Sequence, residues 1–111
     1  MTDTGKALLL VMMEIDPEHE EDFNRWYDEE HVPERLGIPG FVRARRFRAI
    51  EGSPRYLALY ELEGPEVLAT ETYQYWTGEG QTEWTAKILS QLTGFVRNVY
   101  VEILDRSAEP G

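Results

Sequence analysis

The sequence predicts an α+β fold whose elements follow the order βαββαβ. Apolar runs typical of strands cover residues 6–15, 41–50, 55–62 and 95–104. Helical periodicity separates the first run from the second and the third from the fourth, and turn residues join the second run to the third. This order is that of the ferredoxin-like unit, a four-stranded antiparallel sheet with its first and third strands in the centre.

The first strand and the start of the first helix are marked clearly. Residues 6–15 are apolar at successive positions, which indicates a strand covered on both faces. Asp16 then precedes Pro17, and four acidic residues follow within the next five positions. An N-cap, a proline at the first helical position and anions near the positive end of the helix dipole together predict a helix start.

Four ring-bearing residues of this helix recur at three- and four-residue spacing, so they share one face: Phe23, Trp26, Tyr27 and His31. Val32 precedes Pro33, and a residue before proline disfavours helical geometry. We therefore expect the helix to end or kink at Val32.

The second half of the chain begins with a hairpin, in which residues 41–50 and 55–62 pair around the turn at 51–54. Gly64 and Pro65 are expected to open a short helical segment, although the conformation of residues 64–80 stays open.

The second helix starts at Thr82, carries Trp84, Ile88 and Leu92 on one face, and ends at Gly94. Residues 95–104 form the last strand and residues 105–111 a frayed tail.

Composition bounds the function. The 111 residues fit a single domain, 1–111, with 21 acidic against 11 basic residues and a formal charge of −10. That charge opposes binding to nucleic acid or to an anionic membrane surface. No cysteine is present, and neither histidine stands in a metal-ligand pattern, so we expect no metal site. The short run at residues 7–13 does not resemble a targeting segment, and a cytoplasmic protein is expected.

The strands predict a homodimer. Two helices cover one face of a four-stranded sheet, yet the first strand offers Leu8, Leu10 and Met12 to one face and apolar residues to the other. Val99 and Val101 lie opposite Tyr100 in the same way. A second copy of the chain is the simplest cover for the second face.

The segment FNRWYDEEHVPERLGIPGFVRARRF resembles the EthD-like members of the dimeric α/β-barrel superfamily. The shared pattern is Y-x-x-x-H-x-P followed by P-G-F/L, here Tyr27, His31 and Pro33, then residues 39–41. The resemblance implies a dimeric α/β barrel and a pocket near His31. Proteins with this barrel include cofactor-free monooxygenases, cyclases, decarboxylases and haem-binding enzymes, so the resemblance does not select a reaction.

His31 is the leading candidate for chemistry, because an imidazole exchanges protons near neutral pH. The alternative is a capping role at a helix end, with the cation favoured by the helix dipole and by Glu30 or Glu34. Spacing alone favours capping, and the resemblance makes the two interpretations equal. Tyr27 and Tyr60 are the candidate hydrogen-bonding partners of His31 in catalysis. If haem binds, His31 is the plausible axial ligand, although no cofactor is expected.

The predicted substrate-binding residues are Trp26, Tyr73, Trp84 and Arg46, which together with His31 and Tyr60 would line a pocket between helices and sheet. Strand alternation sends Arg46 and Arg48 to one sheet face and Arg43 and Arg45 to the other. One pair could receive a ligand carboxylate; ion pairing with nearby acidic residues is the more common use of such arginines.

Two functions follow from these residues. The first is binding or transformation of a small aromatic or polyketide-like molecule, with His31 as general acid or base; a turnover would be of the cofactor-free monooxygenase, cyclase or decarboxylase type. The second is a non-catalytic dimeric accessory or binding module. A cavity beside His31 favours the first, and a filled core favours the second.

Overall fold

The computed structural model describes residues 4–109, and its elements confirm the predicted order. They are β1 (Ala7–Ile15), α1 (Glu20–Trp26), a π-helical turn (Tyr27–His31), α2 (Val32–Leu36), β2 (Phe41–Arg48), β3 (Tyr56–Leu62), α3 (Glu71–Thr77), α4 (Glu83–Gln91) and β4 (Leu92–Val101). Short 3₁₀ turns at Pro17–His19 and Pro65–Ala69 precede α1 and α3.

The four strands form one antiparallel sheet in the order β2-β3-β1-β4. The predicted ferredoxin-like α+β fold, with the first and third strands in the centre, is confirmed. Along β1 the odd-numbered side chains from Ala7 to Ile15 are buried beneath the helices, and the side chains between them are half-buried on the opposite face. This alternation follows from the pleat of the strand.

The first helix starts where the sequence predicted, with one difference at its N-terminus. Asp16 has the extended backbone of an N-cap and Pro17 opens a 3₁₀ turn, but the Asp16 side chain makes no capping hydrogen bond. The regular α-helix begins at Glu20. All four residues of the predicted ring-bearing face, including Phe23 and His31, are buried.

The helix does not end at Val32. The Val32 N–H donates to the carbonyl of Tyr27, five residues earlier, which makes Tyr27–His31 a π-helical turn. Pro33 has no N–H, so an α-helical turn would leave the carbonyl of Glu29 without its partner. Val32 itself keeps helical angles, φ −63° and ψ −48°, and the helix continues to Leu36. The proline thus produces a wide turn before itself rather than a helix end.

Gly40 explains the P-G-F pattern that precedes β2. Its φ is +99°, in the left-handed region that favours glycine. A Cβ at this position would lie 2.4 Å from Cγ2 of Val67, closer than packed atoms can approach. The 3₁₀ turn that carries Val67 therefore packs directly on the Gly40 backbone, next to the start of β2.

Thr82 starts α4 as predicted, and its hydroxyl accepts from the Thr85 N–H at 3.1 Å. Gly94 does not end this helix, because α4 stops at Gln91 and β4 begins directly at Leu92. Gly94 lies within β4 opposite Glu14, where the pairing shifts register. A Cβ there would lie 3.1 Å from the Glu14 Cβ, so close strand approach is the reason for this glycine.

The segment left open at 64–80 contains a 3₁₀ turn and α3, so the expected short helical segment is confirmed. The Thr70 hydroxyl caps α3 by accepting from the Tyr73 N–H at 3.3 Å. Residues 102–109 form neither helix nor strand, and residues 110 and 111 of the predicted tail lie outside the described residues. No helix among residues 4–109 is both long enough and apolar enough to cross a membrane.

The sheet face away from the helices is apolar in its middle, with Arg43, Arg45 and Glu61 toward one end, and no element among residues 4–109 covers it. Its central rows pair Leu10 with Leu59 and Met12 with Leu57. At the edges Phe47 and Val96 are 43% and 37% exposed. The predicted two-faced character of β1 is confirmed, and we call this surface the open sheet face.

Candidate functional site

A cavity of about 310 Å³ lies between the helices and three strands of the sheet, β1, β3 and β4. The sequence predicted a pocket between helices and sheet, and the volume falls at the lower end of the range for small-molecule sites. The cavity is lined by Leu9, Val11, Met13, His31, Arg35, Tyr60, Tyr73, Thr77, Gln81, Thr85, Leu89, Phe95 and Arg97.

His31 forms part of the inner wall and is 9% exposed. Burial, followed by the positive charges of Arg35 and Arg46, lowers the pKa of His31 to about 3. The imidazole is therefore neutral at neutral pH. The alternative of a cationic helix cap does not fit, because the helix continues five residues beyond His31 to Leu36 and the ring lies in the interior.

Two tyrosine hydroxyls lie beside this imidazole. The rings of Tyr27 and His31 meet edge to face with centroids 5.1 Å apart. Burial raises the pKa of Tyr27 and raises that of Tyr60 well above its ordinary value, and each hydroxyl further perturbs the other. The two hydroxyls are thus neighbours, joined by a hydrogen bond of loose geometry. Tyr60 lines the cavity, whereas Tyr27, 2% exposed, lies directly behind it.

Three buried polar atoms belong to this part of the core: His31 Nδ1 and Tyr60 Oη, on residues that line the cavity, and Tyr27 Oη, on the residue behind them. None has a hydrogen bond of good geometry among the described residues, although the Tyr27 and Tyr60 hydroxyls interact with each other. An unsatisfied buried polar group costs about 1–3 kcal/mol, so native proteins seldom leave several together without a water or ligand to complete them. This cluster, which we call the inner polar wall, is the chemical feature that distinguishes the cavity from a packing defect.

Trp26 supports His31 from behind and does not line the cavity. Its ring stacks on the imidazole with centroids 4.4 Å apart and planes 27° apart. Residues five apart on a regular α-helix differ by about 140° in direction, whereas the π turn places them nearly one above the other. The Trp26 Nε1 donates to the Thr85 hydroxyl at 3.0 Å, and Thr85 donates to Glu30 at 3.2 Å. This network links the first helix to α4 across the end of the cavity.

The other two predicted substrate-binding residues lie away from the cavity. Arg46 donates to Asp28 at 2.8 Å and to Asn24 at 2.7 Å, and its guanidinium lies 4.3 Å from the centre of the Tyr27 ring. The Arg46 guanidinium is therefore engaged within the protein, and ion pairing, the alternative to ligand binding, describes its role. Trp84 is half-buried against the hydrophobic core, outside the cavity lining, and its Nε1 donates to Asp22 at 3.2 Å.

Tyr73 lines the cavity as predicted, and it lies between two arginines that were not among the predicted site residues. Arg35 is buried with its guanidinium 5.8 Å from the Tyr73 ring centre, and Arg97 donates to the Tyr73 hydroxyl at 3.1 Å. Arg35 follows the histidine by one helical turn, which is the signal that could have identified it. Arg97 lies on β4 opposite Val11, a pairing that only the sheet register reveals.

The site does not fit a haem ligated by His31. A metal-bound imidazole donates its second ring N–H to a nearby acceptor, and His31 Nδ1 has none among the described residues. Trp26 covers one ring face, and a cavity of about 310 Å³ lies at the small end of the range for ligand sites. Within the described chain no group of three His, Asp or Glu residues could hold a metal ion.

Comparison with known proteins places the fold. Residues 6–101 match the model of a family described as a domain of unknown function, DUF4286. No curated protein sequence matches the chain significantly. A dimeric ferredoxin-like protein from an uncultured marine organism superposes with TM-score 0.72, 19% identity and coverage of 98% of this chain and 97% of the other.

Two further solved structures are similar. A proposed antibiotic biosynthesis monooxygenase from Bordetella bronchiseptica has TM-score 0.71 and 17% identity, covering 91% of this chain and 100% of the other. An ethyl tert-butyl ether degradation (EthD) family protein from Bacillus halodurans has TM-score 0.56 and 19% identity, covering 88% of this chain and 99% of the other. At these identities the likeness establishes the fold.

Proposed function

The chain belongs to the DUF4286 family, and we propose that it binds a small aromatic or polyketide-like molecule in the cavity, with a polar group of the ligand on the inner polar wall. The observation that carries this proposal is that His31 and Tyr60, which both line the cavity, each have a buried polar atom without a well-formed hydrogen bond among the described residues. A ligand hydroxyl or carbonyl would supply the missing hydrogen bonds.

The rest of the lining suits a flat organic body. Leu9, Val11 and Met13 form an apolar floor, and Phe95 adds an aromatic edge. Apolar walls with a few convergent polar groups are the usual composition of small-molecule sites. An aromatic ligand would therefore bury its rings on the floor while His31 and Tyr60 set its orientation.

In the enzymatic form of the proposal, His31 accepts a proton from the bound ligand. The pKa of His31, lowered to about 3, keeps the imidazole neutral but makes it a weak base in the empty cavity, so proton transfer requires a bound anion to raise that pKa. The proton of an acidic C–H or O–H would move to the imidazole, leaving the ligand as an enolate or phenolate beside the new imidazolium. The ligand anion would then stabilise the His31 imidazolium next to it. The Tyr60 hydroxyl could donate a hydrogen bond to the ligand oxygen.

The alternative function, a binding module without turnover, uses the same cavity. The cavity beside His31 supports ligand binding in both cases. We propose that the resemblance of residues 23–41 to EthD-like proteins reflects a ligand site at a shared position of the fold, while a cytoplasmic location stays a prediction from the sequence.

We further propose that the chain is a homodimer joined through the open sheet face. That face presents the side chains Leu8, Leu10, Met12, Phe47, Leu57, Leu59, Val96 and Tyr100. A contiguous apolar surface of this kind is typical of an interface between subunits. The dimeric state of the marine ferredoxin-like protein supports this arrangement.

A fluorescence titration with 2-naphthol tests ligand binding. Wild type should bind the probe, and Tyr60→Phe should weaken binding about fivefold, the equivalent of one hydrogen bond. His31→Phe should weaken it at least as much. Tyr75→Phe, at a tyrosine that is 49% exposed and outside the cavity lining, is the matched control and should bind as wild type does. Equal binding by all four proteins, or none, would refute the proposal.

Proton transfer is tested separately with 2-tetralone, a bicyclic ketone with an acidic C–H. In D₂O, wild type should accelerate hydrogen–deuterium exchange at that carbon, as followed by proton NMR, and His31→Phe should not. Binding of 2-naphthol without accelerated exchange of 2-tetralone would favour the non-catalytic module.

A further inference from the structure

The ionised side chains that line the cavity are basic, in a protein whose formal charge is −10. Among the described residues that line it, none is Asp or Glu, whereas Arg35 and Arg97 both contribute. Chance would favour the opposite sign, since acidic residues outnumber basic ones by 21 to 11. The cavity is therefore a local site of positive potential on an acidic molecule.

Arg97 carries a charge that no carboxylate balances. The nearby arginines elsewhere in the sheet form ion pairs, as Arg46 does with Asp28 at 2.8 Å and Arg43 does with Glu61 at 3.8 Å. Within residues 4–109 Arg97 has no acidic partner within 4 Å; it is an exposed residue, and it donates a hydrogen bond to the neutral Tyr73 hydroxyl. That bond holds the guanidinium against the cavity and leaves its other N–H groups for a ligand.

Arg35 provides a second guanidinium on the same tyrosine. Its Nη1 lies 2.7 Å from Glu34, so its charge is largely matched, but the side chain also lines the cavity and lies over the Tyr73 ring. The two arginines thus meet one residue, Arg35 at the ring face and Arg97 at the hydroxyl. Both guanidinium groups therefore lie beside Tyr73 at the cavity wall.

We infer that the physiological ligand is an aromatic carboxylate, with its carboxylate at Arg97 and Arg35, its rings on the apolar floor of β1, and a second polar group on the inner polar wall. The inference rests on the proposed function and adds the ligand's charge and orientation. Guanidinium groups recognise carboxylates through paired, charge-assisted hydrogen bonds. Because Arg97 is exposed, an uncharged ligand of the same shape would leave its guanidinium to solvent and would lack this ionic contact.

The test compares two probes of equal shape, 6-hydroxy-2-naphthoate and 6-hydroxy-2-naphthamide, by calorimetric titration at neutral pH and low salt. Wild type should bind the carboxylate at least tenfold more tightly than the amide. Added salt should reduce that preference, because screening weakens the ionic contact at the cavity mouth. Arg97→Gln should lose most of the preference while retaining affinity for the amide. Tyr73→Phe, which removes the acceptor that holds Arg97, should lose part of it.

Arg25→Gln is the matched control, since it removes the same charge from the exposed side of α1, where Arg25 pairs with Glu29 at 3.2 Å, outside both the cavity and the open sheet face. It should keep the full carboxylate preference. Equal binding of acid and amide by wild type, or an unchanged preference in Arg97→Gln, overturns the inference while the proposed function stands. Binding of 2-naphthol with no binding of the acid also overturns it. If none of the three probes binds, both the inference and the proposed function fail.

Discussion

Replacing His31 by phenylalanine should make the protein more resistant to acid. In the folded protein, burial and two neighbouring arginines lower the pKa of His31 to about 3, whereas an unfolded histidine titrates near its ordinary value of about 6.5. Between these values the unfolded chain holds a proton that the folded protein excludes. Proton binding therefore favours unfolding, and stability falls as the pH drops from about 6.5 toward 3.

The size of this effect follows from the two pKa values. Each pH unit within the window removes about 1.4 kcal/mol from the free energy of unfolding, and the loss accumulated at pH 5 is about 2 kcal/mol. Phenylalanine keeps a ring to stack on Trp26 but does not titrate. His31→Phe should therefore lose about 2 kcal/mol less than wild type between pH 7 and pH 5.

Urea denaturation of both proteins at pH 7 and pH 5 measures this difference. Comparing the two pH-dependent losses cancels any change that the substitution makes at neutral pH, as well as the contributions of shared carboxylates. His19→Gln removes the other histidine and retains His31, so it should keep the wild-type loss. Equal losses in wild type and His31→Phe would show that the imidazole is not buried in its neutral form.

Three further predictions concern the fold and its assembly. Gly40→Ala should lower the free energy of unfolding by about 2–4 kcal/mol, through backbone strain and a clash with the adjacent valine, whereas Gly52→Ala, with φ +97° but no atom within 4 Å, should lose only about 1 kcal/mol in the same urea titration. Thr85→Val should lose about 1–3 kcal/mol by leaving the buried tryptophan N–H unpartnered, as chemical denaturation would measure. Leu10→Lys on the open sheet face should convert the proposed dimer to a monomer in light scattering, and Ile50→Lys, at a residue 99% exposed, should not; a monomeric wild type would refute the interface.

The strands and their order could be predicted because their side-chain patterns are local. Local sequence alone predicts the strand at residues 6–15, from its successive apolar positions, and the hairpin turn at 51–54. The failures occurred where a partner decides the conformation. Gly94 marks a close approach to Glu14 rather than a helix end, and Val32 stays helical because a π turn accommodates Pro33.

The candidate site divides in the same way. His31 and Tyr73 could be selected because aromatic and ionisable side chains on a helix are visible in the sequence. The basic cluster of β2 makes Arg46 the arginine that the sequence favours as a ligand contact. In the structure its guanidinium is hydrogen-bonded to Asp28 and Asn24 instead. Arg97 stands alone in the last strand, and its position at the cavity depends on which residue of β1 lies opposite.

The π turn at Tyr27–His31 has a consequence for comparing this chain with distant relatives. The turn holds one residue more than an α-helical turn would, so it acts as a single-residue insertion hidden inside an otherwise continuous helix. A relative with a regular helix, aligned without a gap, would have its residues out of register on one side of that turn. Equivalence to His31 in such a protein should therefore be assigned by superposition on Trp26 and β1, because counting residues from the helix start would choose the neighbouring position.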